Sequence, residues 1–214
     1  MVGIVNFQVK ELIENPREDM NVEIKCWLDF DENSSKAKVA RAIIALANYG
    51  GGFLLMGFKE EEPDTFVADS ENVGFLAKWN QDNLNGIVAS YMYPVFHVGT
   101  HLLASEKWKQ EILVVAVPGG HKVPIQCVKG SPDQKLINGK YYTRRPGPKS
   151  AEPDTPEEWS LIMTNCLRSA KDELLDTIRL IVGGYTGPLN DLGNQAAPEL
   201  DALIREAEQG MVGK

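Results

Sequence analysis

Hydrophobic and polar positions change period several times along the chain. Residues 7–14, FQVKELIE, fit a short helix stopped by Asn15-Pro16. Over residues 21–28, NVEIKCWL, strand formers alternate. Val22, Ile24 and Cys26 fall on one face and Glu23 and Lys25 on the other, which predicts a strand. Beyond the polar stretch DENSS, Ala40, Ile43, Ile44 and Ala47 recur at helical spacing. The helix they predict is stopped by Asn48, Tyr49 and the run Gly50-Gly51-Gly52. GFLLMGF (52–58) is a continuous apolar run, the mark of a buried central strand. Strand, helix and strand in this compact spacing form a βαβ-like unit.

The second half is read the same way. Residues 80–92 predict a helix broken at Tyr93-Pro94, and residues 96–105 and 109–120 predict two strands. Residues 121–130 read as an edge strand, because Pro124 lacks an N–H. Asn138-Gly139 signals a hairpin turn ahead of KYYTRR within 135–147. Pro156 and Glu157 open a long helix whose apolar positions include Trp159, Ile162, Met163 and Cys166. The organisation expected is one domain over 1–182, then a Gly/Pro-rich linker and a short amphipathic helix in 183–214.

Composition narrows the class. The 214 residues, 43% of them hydrophobic, suffice for one domain with a real core. No apolar run approaches the roughly 20 residues of a membrane span, and the start has no signal-peptide pattern. Three scattered cysteines argue against a disulfide framework and against a zinc site. A cytoplasmic protein with reduced thiols is expected. The net charge of −8 argues against nucleic acid, but its distribution changes the picture. Residues 76–150 carry 4 acidic and 10 basic side chains, a local balance of +6. Such a zone either meets phosphates or protects a sheet edge from aggregation.

The candidate chemistry follows from these placements. Glu18 precedes the first strand and Glu23 lies in it, while the second strand leads into FKEEE. If the two strands pair, Glu60 or Glu61 reaches the same sheet end. Three carboxylates there form a cage of hard oxygens for Mg²⁺ or Mn²⁺, an ion that polarises a phosphodiester and activates water. Lys25 would neutralise charge on the scissile phosphate. The competing reading makes Glu23 and Lys25 the solvent face of a half-buried strand. The Gly50–Gly52 run follows a helix and precedes a strand, the reverse of a phosphate-binding loop. In KYYTRRPGPK, Lys140, Tyr142, Arg144 and Arg145 supply cations and an aromatic for a nucleic-acid backbone; otherwise this is a strand with core tyrosines and a basic edge. His97, His101 and His121 lack metal-ligand spacing and read as ordinary histidines.

The motif Glu18-x-x-x-x-Glu23-x-Lys25, then Ala47, Asn48, Gly51, Gly52 and Gly57, then Tyr141-Tyr142-x-Arg144, resembles the Schlafen AlbA-type domain over about residues 10–170. The resemblance implies an α/β fold, a mixed β-sheet with flanking helices. It also implies nucleic-acid binding, either as a metal-dependent endonuclease acting on tRNA-like RNA or DNA, or as a non-catalytic DNA-binding module of a transcription regulator or defence protein. By that resemblance Glu18, Glu23 and Glu60 are the catalytic, metal-holding acids, with Lys25 beside them. The family's V-D-D stands here as Phe58-Lys59-Glu60, which makes Glu61 an alternative third ligand. Other expectations are a place within a larger polypeptide or complex, and a homodimer held by the C-terminal helices.

Overall fold

The computed structural model describes residues 9–182. The expected linker and terminal helix in 183–214 lie outside the described residues. The chain divides into two units, Met1–Leu167 and Arg168–Lys214. The fold described here is that of the first unit.

Residues 9–14 are helical (α1). Strand β1 (Val22–Lys25), helix α2 (Asn33–Tyr49) and strand β2 (Gly52–Met56) follow, and β1 pairs with β2 in parallel. This is the βαβ unit. Later strands β6 (Gly99–Ser105) and β7 (Gln110–Val117) form an antiparallel hairpin whose second strand joins β2. The sheet order is β1-β2-β7-β6, mixed parallel and antiparallel with helices on both faces, the expected α/β class.

The apolar runs explain why both faces are covered. On β2 and β7, Leu54, Met56, Leu113, Val115 and Val117 pack with α2 and with α3 (Gln81–Tyr91). The alternate residues Leu55, Ile112 and Val114 pack with Val22, Ile24 and the α1 residues Val9, Leu12 and Ile13. A strand buried on both faces shows no polar alternation. Glu14, the last residue of α1, fixes this second layer. Its carboxylate accepts from Ser105 Oγ (3.1 Å) and from the Glu106 and Lys107 amides (2.9 and 3.0 Å) at the β6–β7 turn.

Several sequence expectations are corrected. The run 52–58 is not one strand. Gly57 adopts φ 119°, and a Cβ there would lie 2.8 Å from the Trp27 ring. The chain breaks at this point into a separate hairpin, β3 (Phe58–Glu62) with β4 (Thr65–Ala68). The strand expected over 121–130 shrinks to β8 (Gln126–Cys127), which pairs with β5 (Met92–Tyr93) outside the main sheet. Pro124 explains part of this and Asn48 the rest. The buried Asn48 amide accepts from Ile125 N (2.7 Å) and donates to Ile125 O (2.9 Å), so a side chain takes the place of a neighbouring strand. Its Nδ2 also donates to Tyr142 O (2.9 Å). Asn138-Gly139 does turn, with Gly139 at φ 82°, but the strand expected next starts late. Strand β9 (Thr143–Arg145) pairs with β10 (Lys149–Ala151) across a second turn at Pro146–Pro148. The β9–β10 hairpin lies against α2. Helix α4 (Pro156–Val182) buries Ile162 and Cys166, while Met163 faces solvent.

Candidate functional site

Strand β1 is an edge strand, and its open edge organises the site. In a parallel pair the backbone groups of alternate residues turn toward the partner. The Asn21 and Lys25 carbonyls accept from Phe53 and Gly57 of the β2 side. Val22 and Ile24 therefore present their N–H and C=O groups to the outside, where a bare edge would invite a foreign strand. Each of these groups is satisfied by a nearby polar group. Val22 exchanges backbone hydrogen bonds with Asp19 (3.1 and 3.2 Å), closing a tight turn at 19–22. Ile24 N donates to Glu18 Oε1 (3.1 Å), and Ile24 O accepts from Lys25 Nζ (3.0 Å).

Arg144 completes the edge. It is 2% exposed. Its Nη2 donates to the Asp19 and Val22 carbonyls (both 2.9 Å), its Nε to Met20 O (3.3 Å) and its Nη1 to Ser150 Oγ (3.2 Å). Nη1 also pairs with Glu23 Oε2. Glu23 is 7% exposed, and its other oxygen pairs with Lys25 Nζ. Both carboxylate oxygens of Glu23 are thus neutralised by cations of the same chain. Arg144 is expected from the sequence to hold a nucleic-acid backbone. Instead its donors hold the turn that carries Glu18, and burial pulls the guanidinium pKa down, with Glu18 and Asp19 opposing. Tyr142 is likewise buried at 2%, its hydroxyl accepting from Ile137 N (2.8 Å). Lys140 is exposed and pairs with Glu152 (3.0 Å).

Above this edge lies a cleft of about 1030 Å³. Strand β1, the β3–β4 hairpin, the β9–β10 hairpin and residues 152–154 all contribute to its lining. Glu18, Glu23, Lys25 and Glu60 line it together, as their positions on neighbouring elements imply. They do not converge on one point. Glu60 is exposed on β3, its Oε1 accepting from Asp64 N (3.1 Å). Glu61, the alternative third ligand, is exposed and is not part of the lining. No group of three His, Cys, Asp or Glu side chains among the described residues is arranged to hold a metal ion. The donor set therefore does not fit Mg²⁺ or Mn²⁺ as it stands, because Glu23 is committed to Arg144 and Lys25.

The cations of the cleft fall into two kinds. Arg41 donates to Gln134 O (3.1 Å) and Ser150 O (2.6 Å), and Lys59 pairs with Glu71 (3.2 Å). Arg145 is clasped by Asp154 (2.5 Å) and by Glu158 at the start of α4 (2.8 Å). Its hydrogen bond holds the Glu158 carboxyl below the usual carboxylate range, burial opposing. Lys135 and Lys149 are different: both are exposed, and neither has a carboxylate partner among the described residues. Sequence reasoning passed over Arg41, Lys59 and Lys135, which come from distant parts of the chain and share no motif. His97 and His101 are exposed outside the cleft. No helix among the described residues is long and apolar enough to cross a membrane.

Comparison with known proteins agrees with the motif reading. The family model described as Schlafen, AlbA_2 matches residues 18–151, which contain every element of the cleft up to β10. No curated protein matches the chain. A solution NMR structure is similar at 22% identity and a TM-score of 0.36, covering 70% of this chain and 90% of its own. It is the N-terminal domain of a RecG-related protein from Nitrosomonas europaea.

Proposed function

The chain belongs to the Schlafen AlbA_2 family, and from that premise we propose that the cleft over β1 binds the phosphate backbone of a nucleic acid. The observation that carries this reading is the pair Lys135 and Lys149, exposed at the cleft without carboxylate partners among the described residues, in a chain of net charge −8. An acidic protein whose described residues leave two cations at one cleft without a carboxylate offers them to an anion from outside. Arg41, whose donors go to backbone carbonyls and not to carboxylates, adds positive potential behind them. The reading is tested by titrating the chain with a labelled oligonucleotide at several salt concentrations. Each phosphate contact contributes about 0.7–0.9 to the slope of log K against log salt, so Lys135→Ala and Lys149→Ala each reduce the slope by about that amount. Unchanged affinity and slope in the double variant refute it.

A second reading is hydrolytic, and one observation favours it: Glu18, Glu23 and Glu60 line the same cleft as the free lysines. A divalent metal would supply Lewis-acid activation of the phosphodiester, but the acids present do not assemble into a site for one. Within this chain, Lys25 is held by Glu23 and the Ile24 carbonyl, and it would carry charge complementary to a bound phosphate. The test is cleavage of tRNA, single-stranded DNA and duplex DNA in Mn²⁺, Mg²⁺ or EDTA. Glu18→Gln and Glu60→Gln are the informative controls, because neither residue holds Arg144. Metal-dependent cutting lost in both variants supports a nuclease. Binding without cutting in every condition supports a reader.

A further inference from the structure

We infer that the cleft takes a single-stranded segment and stacks one of its bases on the ring of Phe66. This inference rests on the reading of the cleft as a nucleic-acid site and adds the form of the strand it accepts.

Three aromatic side chains line the cleft, and they differ in what they can still contact. Phe58 and Tyr142 are 1% and 2% exposed, so their faces are used up by the protein. Phe66 is partly exposed, packed on one side against the core layer that contains Phe58 and open to the cleft on the other. The hairpin register explains its position. Phe66 pairs with Glu60 and Ala68 with Phe58, and directly opposed residues of an antiparallel pair share a face. Phe58 and Phe66 therefore follow each other along the cleft-facing side of the ribbon, the first sealed in the core and the second left as a platform.

A lone ring among charged residues has a specific use. Base stacking is tolerant of sequence and needs a face, whereas phosphates need only cations. The free cations Lys135 and Lys149 lie on other elements, Lys135 directly after the short helical turn Pro132–Gln134 and Lys149 at the start of β10. A backbone held by these lysines can turn a base toward Phe66 only if that base is unpaired. In a duplex the bases are stacked on each other and offer only edges in the grooves. Single strands, by contrast, splay their bases onto aromatic side chains. A cleft of about 1030 Å³ has the volume of a large ligand pocket rather than of a groove for a double helix.

The test uses the full chain and fluorescence anisotropy with three probes of equal length: oligothymidylate, the same strand with abasic sites, and a duplex. Oligouridylate in a fourth arm separates DNA from RNA. The wild type is expected to bind oligothymidylate about tenfold more tightly than the abasic strand, the scale of one stacked base. Phe66→Leu keeps an apolar side chain against the core layer but loses the ring. It should abolish that difference while leaving abasic-strand affinity unchanged, and Phe66→Tyr should restore it. A Phe66→Leu variant that binds both strands like wild type overturns the inference. So does one that weakens both equally, or a wild type that prefers the duplex. In each of these cases the phosphate-binding reading survives. If no probe binds at all, both fail together.

Discussion

Removing Glu23 should unfold the edge of the sheet before it affects any chemistry. In Glu23→Gln the side chain keeps its shape but loses its charge. Lys25, whose side chain is 27% exposed, can turn to water. Arg144, whose side chain is 0% exposed, cannot, and its guanidinium is left buried without its paired carboxylate. Breaking one partner of a buried pair costs about 3–5 kcal/mol. In a unit of this size that corresponds to a fall in Tm of about 6–20 °C. The damage is directed, because Arg144 also holds the Asp19, Met20 and Val22 carbonyls and so the turn that positions Glu18. Urea unfolding followed by circular dichroism measures the loss. A cycle with Arg144→Met gives the coupling: the double variant should be less destabilised than the sum of the two single changes. If Glu23→Gln costs under about 1 kcal/mol and the changes simply add, the pair is not the buried clasp described here. The practical consequence concerns nuclease assays. Activity lost in a Glu23 variant means little until its folding has been measured.

Four further outcomes are expected. Asn48→Ala leaves Ile125 N, Ile125 O and Tyr142 O without their partner in a buried place, and each such group costs about 1–3 kcal/mol. Thermal unfolding should show a large loss, and Asn48→Asp should not restore it, because a carboxylate cannot donate to the two carbonyls. Gly57→Ala combines a positive φ with a Cβ 2.8 Å from Trp27, so it should destabilise by about 1–3 kcal/mol and change the tryptophan emission. Glu158→Gln weakens the grip on Arg145 and should tighten oligonucleotide binding. The pH dependence has a definite sign. Glu158 is held below its ordinary value, chiefly by Arg145, so the stability from this pair is complete above the ordinary carboxylate range and disappears as pH falls through the lower folded value. A titration of Glu158 at or above the ordinary value would contradict the clasp.

The sequence alone determined the βαβ opening, the long helices and the family. These depend on periodicity and on a motif whose residues lie within a few tens of positions. It also placed Glu18, Glu23, Lys25 and Glu60 together, because β1 and β2 pair in parallel and β3 follows directly. It did not reveal what those residues touch. Alternation told which face Glu23 shares with Lys25, but not that the β9–β10 hairpin, more than a hundred residues on, supplies a buried arginine beneath it. Tertiary structure therefore decided the roles. It turned Arg144 and Tyr142 from binding residues into framework, let the Asn48 amide stand in for a strand at Ile125, and left Lys135, Lys149 and Phe66 open to the cleft. The physical reason is burial. A side chain's charge and shape are written in the sequence, but whether water, a counter-charge or a ligand meets them depends on segments that only the folded chain brings together.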